Sequence, residues 1–203
     1  IGGFDAAVGW IGETGIVVTG TGGSVAGGLV IVPTNADDAQ RLFTQLRGFI
    51  ELAGGAGIKL TDETYNGATI TVVDLSGAGA LTGGAVAVPN EIKVAYAVTD
   101  TVVVFGSSVE FVKAVIDAPS GSNLASTDQF KSALAKVDAV NSTLLWVDVA
   151  GIRTIAEPLM SADQKTEYES DLKPYLEPFD SVIATNVAGE IDEGTFVLSV
   201  TGN

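Results

Sequence analysis

The chain is predicted to be α+β: an antiparallel sheet built from hairpins, with amphipathic helices packed mainly on one face. Three observations lead there. Short β-branched runs come in pairs joined by turn residues. Between the pairs lie segments whose apolar residues recur at helical spacing behind capping residues. Apolar residues make up 46% of the 203, mostly Ala and Val with 7% aromatic, and small β-branched side chains suit a pleated surface.

Residues 1–14 read as a lead-in, with Phe4, Val8, Trp10 and Ile11 set among glycines. Residues 15–20 and 26–32 read as strands around the turn Gly20-Thr-Gly-Gly23. Pro33 stops the second strand. Thr34 or Asn35 then caps a helix whose first turn carries Asp37 and Asp38, as the helix dipole favours. Its apolar face runs Ala36, Ala39, Leu42, Phe43, Leu46, Phe49, Ile50 and Ala53, and Gly54-Gly55 ends it. Residues 58–65 and 68–75 flank Asn66-Gly67, a strong hairpin signal because both turn positions need positive φ.

A Gly/Ala-rich stretch follows at 76–91, read as a loop or loose hairpin. Residues 92–98 and 101–105 form another hairpin about Thr99-Asp100. Ser107 and Glu110 have capping-box spacing and open a helix to about Ala118, with Val109, Val112, Val115 and Ile116 inward. Ser126 or Thr127 caps a helix over 128–137, with Phe130, Ala133, Leu134 and Val137 inward. Residues 144–149 read as a strand and 151–160 as a short helix. Ser161 and Gln164 repeat the capping-box spacing ahead of a helix to about Leu172. The last strands cover 179–189 and 195–201.

The order strand, turn, strand, capped helix occurs at 15–53 and again at 92–118, a weak internal repeat. A single domain over 1–203 is expected, with possible sub-units 1–75 and 92–203 joined by residues 76–91.

Composition narrows the chemistry. The chain has no His and no Cys, which removes the common triads, thiolate nucleophiles, disulfides and typical zinc sites. Twenty-five acids against 10 bases give a net charge of −15, which repels phosphate backbones and anionic lipid. The bases are Arg41, Arg47, Lys59, Lys93, Lys113, Lys131, Lys136, Arg153, Lys165 and Lys173, scattered singly with no basic patch, so no nucleic-acid partner is expected. No apolar run is long enough to span a membrane.

Candidate motifs read as structure. Gly20-Thr-Gly-Gly-Ser-Val-Ala-Gly27 has Val25 where a dinucleotide loop needs glycine, and a strand follows it instead of a helix. The 77–84 glycine run fails the same test. The acid pairs Asp37/Asp38, Asp62/Glu63 and Asp192/Glu193 are sequence neighbours, which do not usually converge across a cleft as glycosidase carboxylates do. Glu190-Ile-Asp-Glu193 offers oxygens but not the calcium-loop ligand pattern. Asn141-Ser-Thr143 fits a glycosylation acceptor and also a turn. Trp146, in an apolar strand, reads as core, and Trp10 is an anchor or a ligand surface. The acid-rich region 157–193 reads as a solvated face. No catalytic, cofactor-binding or metal-ligating residue is assigned, and no cofactor is expected.

Several segments, in order, resemble an uncharacterised bacterial family, the domain-of-unknown-function 3352 group. They are Trp10-Ile-Gly-Glu13, Tyr65-Asn-Gly67, Val98-Thr-Asp-Thr-Val-Val-Val-Phe-Gly106, Asn123-Leu-Ala-Ser-Thr-Asp-Gln-Phe130 and Leu144-Leu-Trp-Val-Asp148. The resemblance spans about two thirds of the chain and implies an exported envelope protein with a signal or anchor ahead of the domain; it supplies no catalytic residues. With the start at Ile1, the chain reads as a processed or excised product with that segment upstream. The expected function is a non-enzymatic extracytoplasmic binding or scaffolding domain with an unknown protein or small-molecule partner. The alternatives are a carrier of small apolar ligands or lipid, and a carboxylate-based hydrolase.

Overall fold

The computed structural model of the chain describes residues 8–21, 24–53, 57–77 and 92–201. The turn glycines Gly22 and Gly23, the helix stop at Gly54-Gly55, the lead-in Phe4 and nearly all of the 76–91 stretch lie outside the described residues. The fold is α+β, with nine described strands in antiparallel sheets built from hairpins. The chain clusters into two compact units: Ile1–Thr19 with Val25–Ser120, and Gly20–Ser24 with Gly121–Asn203. The division near residue 120 differs from the sub-unit boundary expected at 76–91. The strands on either side of that stretch pair directly, Ile70 with Ala97 and Val72 with Ala95, so both belong to one sheet.

The first unit is built on a six-stranded sheet. Its strands are β1 (Ile11–Thr21), β2 (Ser24–Pro33), β3 (Lys59–Tyr65), β4 (Ala68–Asp74), β5 (Lys93–Val98) and β6 (Val103–Gly106), in the order β1-β2-β6-β5-β4-β3. Helix α1 (Ala36–Ala53) follows β2, and α2 (Val109–Asp117) follows β6, so the strand–strand–helix order recurs. Asn66 (φ 47) and Gly67 (φ 81) both take the left-handed conformation that the β3–β4 turn demands.

The two helices cover opposite faces of this sheet, where helices mainly on one face were expected. Strand alternation explains it. Val104, Ala97 and Ile70 project to one face and form a core with Phe111 and Val112 of α2. Val103 and Ile31 project to the other and form a core with Ala39 and Phe43 of α1 and with Trp10. Trp10 is therefore an anchor, its ring edge-on to Phe43 at 6.1 Å between centroids. Each large side chain so buried contributes roughly 1.5–3 kcal/mol. Gly28 and Gly106 lie opposite each other under α2. A Cβ on Gly106 would sit 2.7 Å from the Phe111 ring, and one on Gly28 would collide with the Phe105 carbonyl oxygen.

Caps place both helices. The Asn35 carboxamide oxygen accepts from the Asp38 amide at 3.2 Å and starts α1. Ser108, not Ser107, caps α2 by accepting from the Phe111 amide at 3.1 Å. Ser107 is taken elsewhere: its hydroxyl accepts from the Gly27 amide on β2 at 3.0 Å. The expected Ser107–Glu110 capping box is thus replaced by a one-sided cap a residue later. Along α1 the expected inward face holds only for its first half. Ala39 and Phe43 are buried, whereas Leu46 and Phe49 are exposed.

The second unit has helix α3 (Asp128–Leu134), strand β7 (Thr143–Asp148), helices α4 (Val149–Ala156), α5 (Ala162–Glu167) and α6 (Lys173–Leu176), and strands β8 (Phe179–Val187) and β9 (Glu193–Val200). Its sheet order is β7-β8-β9. Thr127 caps α3, and Ser161 with Gln164 makes the expected capping box on α5. A π-helical turn, Tyr168–Leu172, joins α5 to α6.

Candidate binding surface

The second sheet carries two chemically different faces. Trp146, Ile183 and Val197 lie in register on one of them, beside Ser181 and Thr185. Ile183, Ser181 and Thr185 are buried. Phe130 of α3 meets Trp146 edge-on at 5.5 Å, and Lys136 donates to the Ser199 hydroxyl on this face. Trp146 is half-buried core, as its strand suggested, but its indole N–H finds no acceptor among the described residues.

The opposite face has the composition of a core, half-buried along β8 and exposed towards the sheet edges. In register across it lie Leu145, Ala184 and Phe196, then Val147, Val182 and Leu198. Val200 extends the β9 row. Phe196 is 69% exposed, Val200 57%, Leu145 55% and Leu198 41%. None of these positions is charged, and Thr143, Asn186 and Gly194 complete the next row. An antiparallel sheet facing water ordinarily shows polar residues there. A contiguous apolar patch on a folded surface instead marks a site of contact.

The acid pairs do not converge. Asp37 and Asp38 sit in the first turn of α1, where Asp38 pairs with Arg41. Asp62 and Glu63 point to opposite faces of the first sheet. Asp62 accepts from Arg47 at 2.8 Å and from Thr71 at 2.9 Å, while Glu63 pairs with Lys113. The Arg47 guanidinium, hydrogen-bonded to Asp62, holds that carboxyl below its ordinary value despite some desolvation. Asp192 accepts from the Gly189 amide within the β8–β9 turn. Among the described residues no three acidic side chains gather as metal ligands would. Asn141 donates back to the Asp138 carbonyl, forming the turn that leads to β7.

Two further polar groups were not legible in the sequence. Gln129 donates to both Asp148 and Asp180, at 3.3 and 3.2 Å, bringing together two carboxylates 32 positions apart. Asp148 is already committed to capping α4, accepting from the Gly151 amide at 2.7 Å. Tyr168 donates to Glu157 at 3.0 Å, and Lys173 approaches the same carboxylate at 3.6 Å. Burial first, and then the hydrogen bond to Glu157, push the Tyr168 phenol above its ordinary value. Beside it an open groove of about 500 Å³ is lined by Ala156, Leu159, Met160, Gln164, Glu167 and Leu172.

No helix among the described residues is long and apolar enough to cross a membrane. Comparison of the chain with protein-family models, with curated proteins and with solved structures finds no match, so the surface is read from its own residues.

Proposed function

We propose that this chain is a non-enzymatic binding or scaffolding domain of a bacterial envelope protein. In this reading it works outside the cytoplasm and holds a protein partner against the uncovered face of its second sheet. The observation that carries the binding role is the in-register apolar set Leu145, Phe196, Leu198 and Val200, exposed on one sheet face with no charge among them. The centre of a protein interface is apolar and poor in charge, with aromatic residues such as Phe enriched. The acidic pairs that a hydrolase would need are instead held in caps, turns and ion pairs.

The compartment is argued from the segments that resemble the exported family.

The test is a photo-crosslinking residue placed at Phe196 in the source cell. A discrete protein adduct is expected that Leu198→Glu abolishes and that the same residue at Gln40 does not produce. Turnover of ester, glycoside or phosphate substrates by the purified chain would overturn the non-enzymatic reading. A second reading, carriage of a small apolar ligand, has the groove beside Tyr168 in its favour. That groove opens widely to solvent, whereas ligand sites commonly bury 70–90% of their occupant. Native mass spectrometry of the purified chain decides it, because a carrier retains a bound molecule.

A further inference from the structure

The six-stranded sheet ends in two very different edges. The β3 edge is guarded by charge, with Lys59, Asp62 and Glu63 in seven residues. Charged side chains on an edge block the addition of another strand. The β1 edge has no such guard beyond Glu13. Its stretch Thr14-Gly-Ile-Val-Val-Thr-Gly20 contains neither charge nor proline. Ile16 is 83% exposed, Val17 42% and Val18 72%. Neighbouring residues on a strand point to opposite faces, so around Val17 β1 carries exposed apolar side chains on both.

The stretch is also close to self-complementary. Read outward from Val17, Ile16 matches Val18, Gly15 matches Thr19 and Thr14 matches Gly20. Antiparallel pairing of two copies about a two-fold axis at Val17 would set apolar residues against apolar ones and small or polar ones against their like. Glu13 would fall opposite Thr21, so no like charges would meet. An axis perpendicular to the sheet keeps each face on its own side, as a closed two-fold dimer requires.

We propose that β1 pairs antiparallel with β1 of a second copy, centred on Val17, and joins the two sheets through their unguarded edges. The proposal is independent of the apolar face of the second sheet. It also has a definite strength and salt response. The paired segment, Glu13–Thr21 on each copy, is well under the roughly 20–30 residues a side of a standard interface, so the association is weak. Each copy carries −15, so repulsion opposes it at low salt. Shortening the screening length from about 30 Å near 0.01 M to about 8 Å near 0.15 M strengthens it.

Sedimentation equilibrium of the chain up to about 1 mM, the range in which such weak contacts populate, tests the proposal. A monomer–dimer equilibrium that tightens with salt is expected. Val17→Lys, which sets two ammonium groups against each other at the axis, should weaken it about tenfold or more. Phe196→Lys should leave it unchanged.

A second measurement does not depend on a charged variant folding. The chain has no cysteine, so Val17→Cys introduces a single thiol. Paired Cα atoms across a ladder lie about 4.5–5.5 Å apart, within disulfide reach, and oxidation should trap a covalent dimer. Val25→Cys, on β2, should not cross-link, because the two β2 strands would stand about 14 Å apart at three strand spacings. A chain that stays monomeric throughout, a dimer indifferent to Val17→Lys or dissolved by Phe196→Lys, assembly beyond a dimer, or a Val17→Cys variant that fails to cross-link would each overturn the proposal.

Discussion

Three glycines show how the same residue type meets different demands. Gly67 has open space where a side chain would project, and only its φ of 81° requires glycine. Gly67→Ala should therefore cost about 1–2 kcal/mol, the price of a left-handed L-residue. Gly28 and Gly106 have ordinary backbone but no room, since a Cβ would meet the Phe105 carbonyl or the Phe111 ring. Gly28→Ala must push β2 away from β6 or lift α2, and should cost about 3 kcal/mol, at the upper end for overpacked sites. Urea denaturation of the Gly67 and Gly28 variants should rank Gly28→Ala as the more destabilised. Asp62 offers a pH signature at the same scale. Its folded carboxyl is held below its ordinary value, chiefly by Arg47. The stability it contributes is thus fully present above the unfolded value of about 3.9 and is lost as pH falls through the lower folded value. The stability difference between the wild type and Asp62→Asn should be constant near neutrality and shrink below about pH 4, measured by thermal unfolding across pH.

Elements were legible where their signals were local. The Asn66-Gly67 hairpin and the Ser161–Gln164 box are each decided within a few residues, and both formed. The α2 cap was not local. Spacing favours Ser107, which has Glu110 three residues on, but the Gly27 amide, 80 positions away, occupies the Ser107 hydroxyl and leaves the cap to Ser108. Ser108→Ala should cost about 1 kcal/mol of stability, while Glu110→Ala should change it by less than about 0.5 kcal/mol; chemical denaturation distinguishes them. The two-faced burial of the first sheet left a trace that binary alternation hides. Val103-Val104-Phe105 is a continuous apolar run, the pattern of a strand covered on both sides. β9 has a similar run, Phe196-Val-Leu198, yet only one of its faces is covered. A run therefore states that both faces are apolar and does not say what covers them. That is why the candidate surface was not visible in the sequence. The Gln129 bridge was hidden for the same reason, since its two carboxylates meet only when β8 pairs with β7.

At the scale of the molecule, net charge dominates the response to solvent. With −15 on 203 residues, the folded chain works against its own field. Among the described residues half of the ten bases, Arg41, Arg47, Lys113, Lys165 and Lys173, lie in ion pairs with acids, and these pairs are largely at the surface. Such pairs are worth about 0–1 kcal/mol each and do not cancel the excess. The melting temperature at neutral pH should therefore rise between about 0.01 and 0.15 M salt, because screening relieves repulsion over distances beyond about 8 Å. Differential scanning calorimetry reads this directly, at dilution low enough that the chain is monomeric.

The strand pair β5–β6 has a consequence for how this chain can change length over time. Val103 and Phe105 serve the core under α1, while Val104 and Gly106 serve the one under α2. A single-residue insertion between Val98 and Val103 that the turn did not absorb would exchange the two sets. Phe105 would be driven into the space that Gly106 leaves for the Phe111 ring, and the core under α1 would lose an aromatic at the same stroke. Both cores thus read one reading frame. Lineages descended from this chain are free to lengthen or shorten at the surface turn around Asp192, but a change of one residue at Thr99–Val102 should survive only with a compensating change nearby.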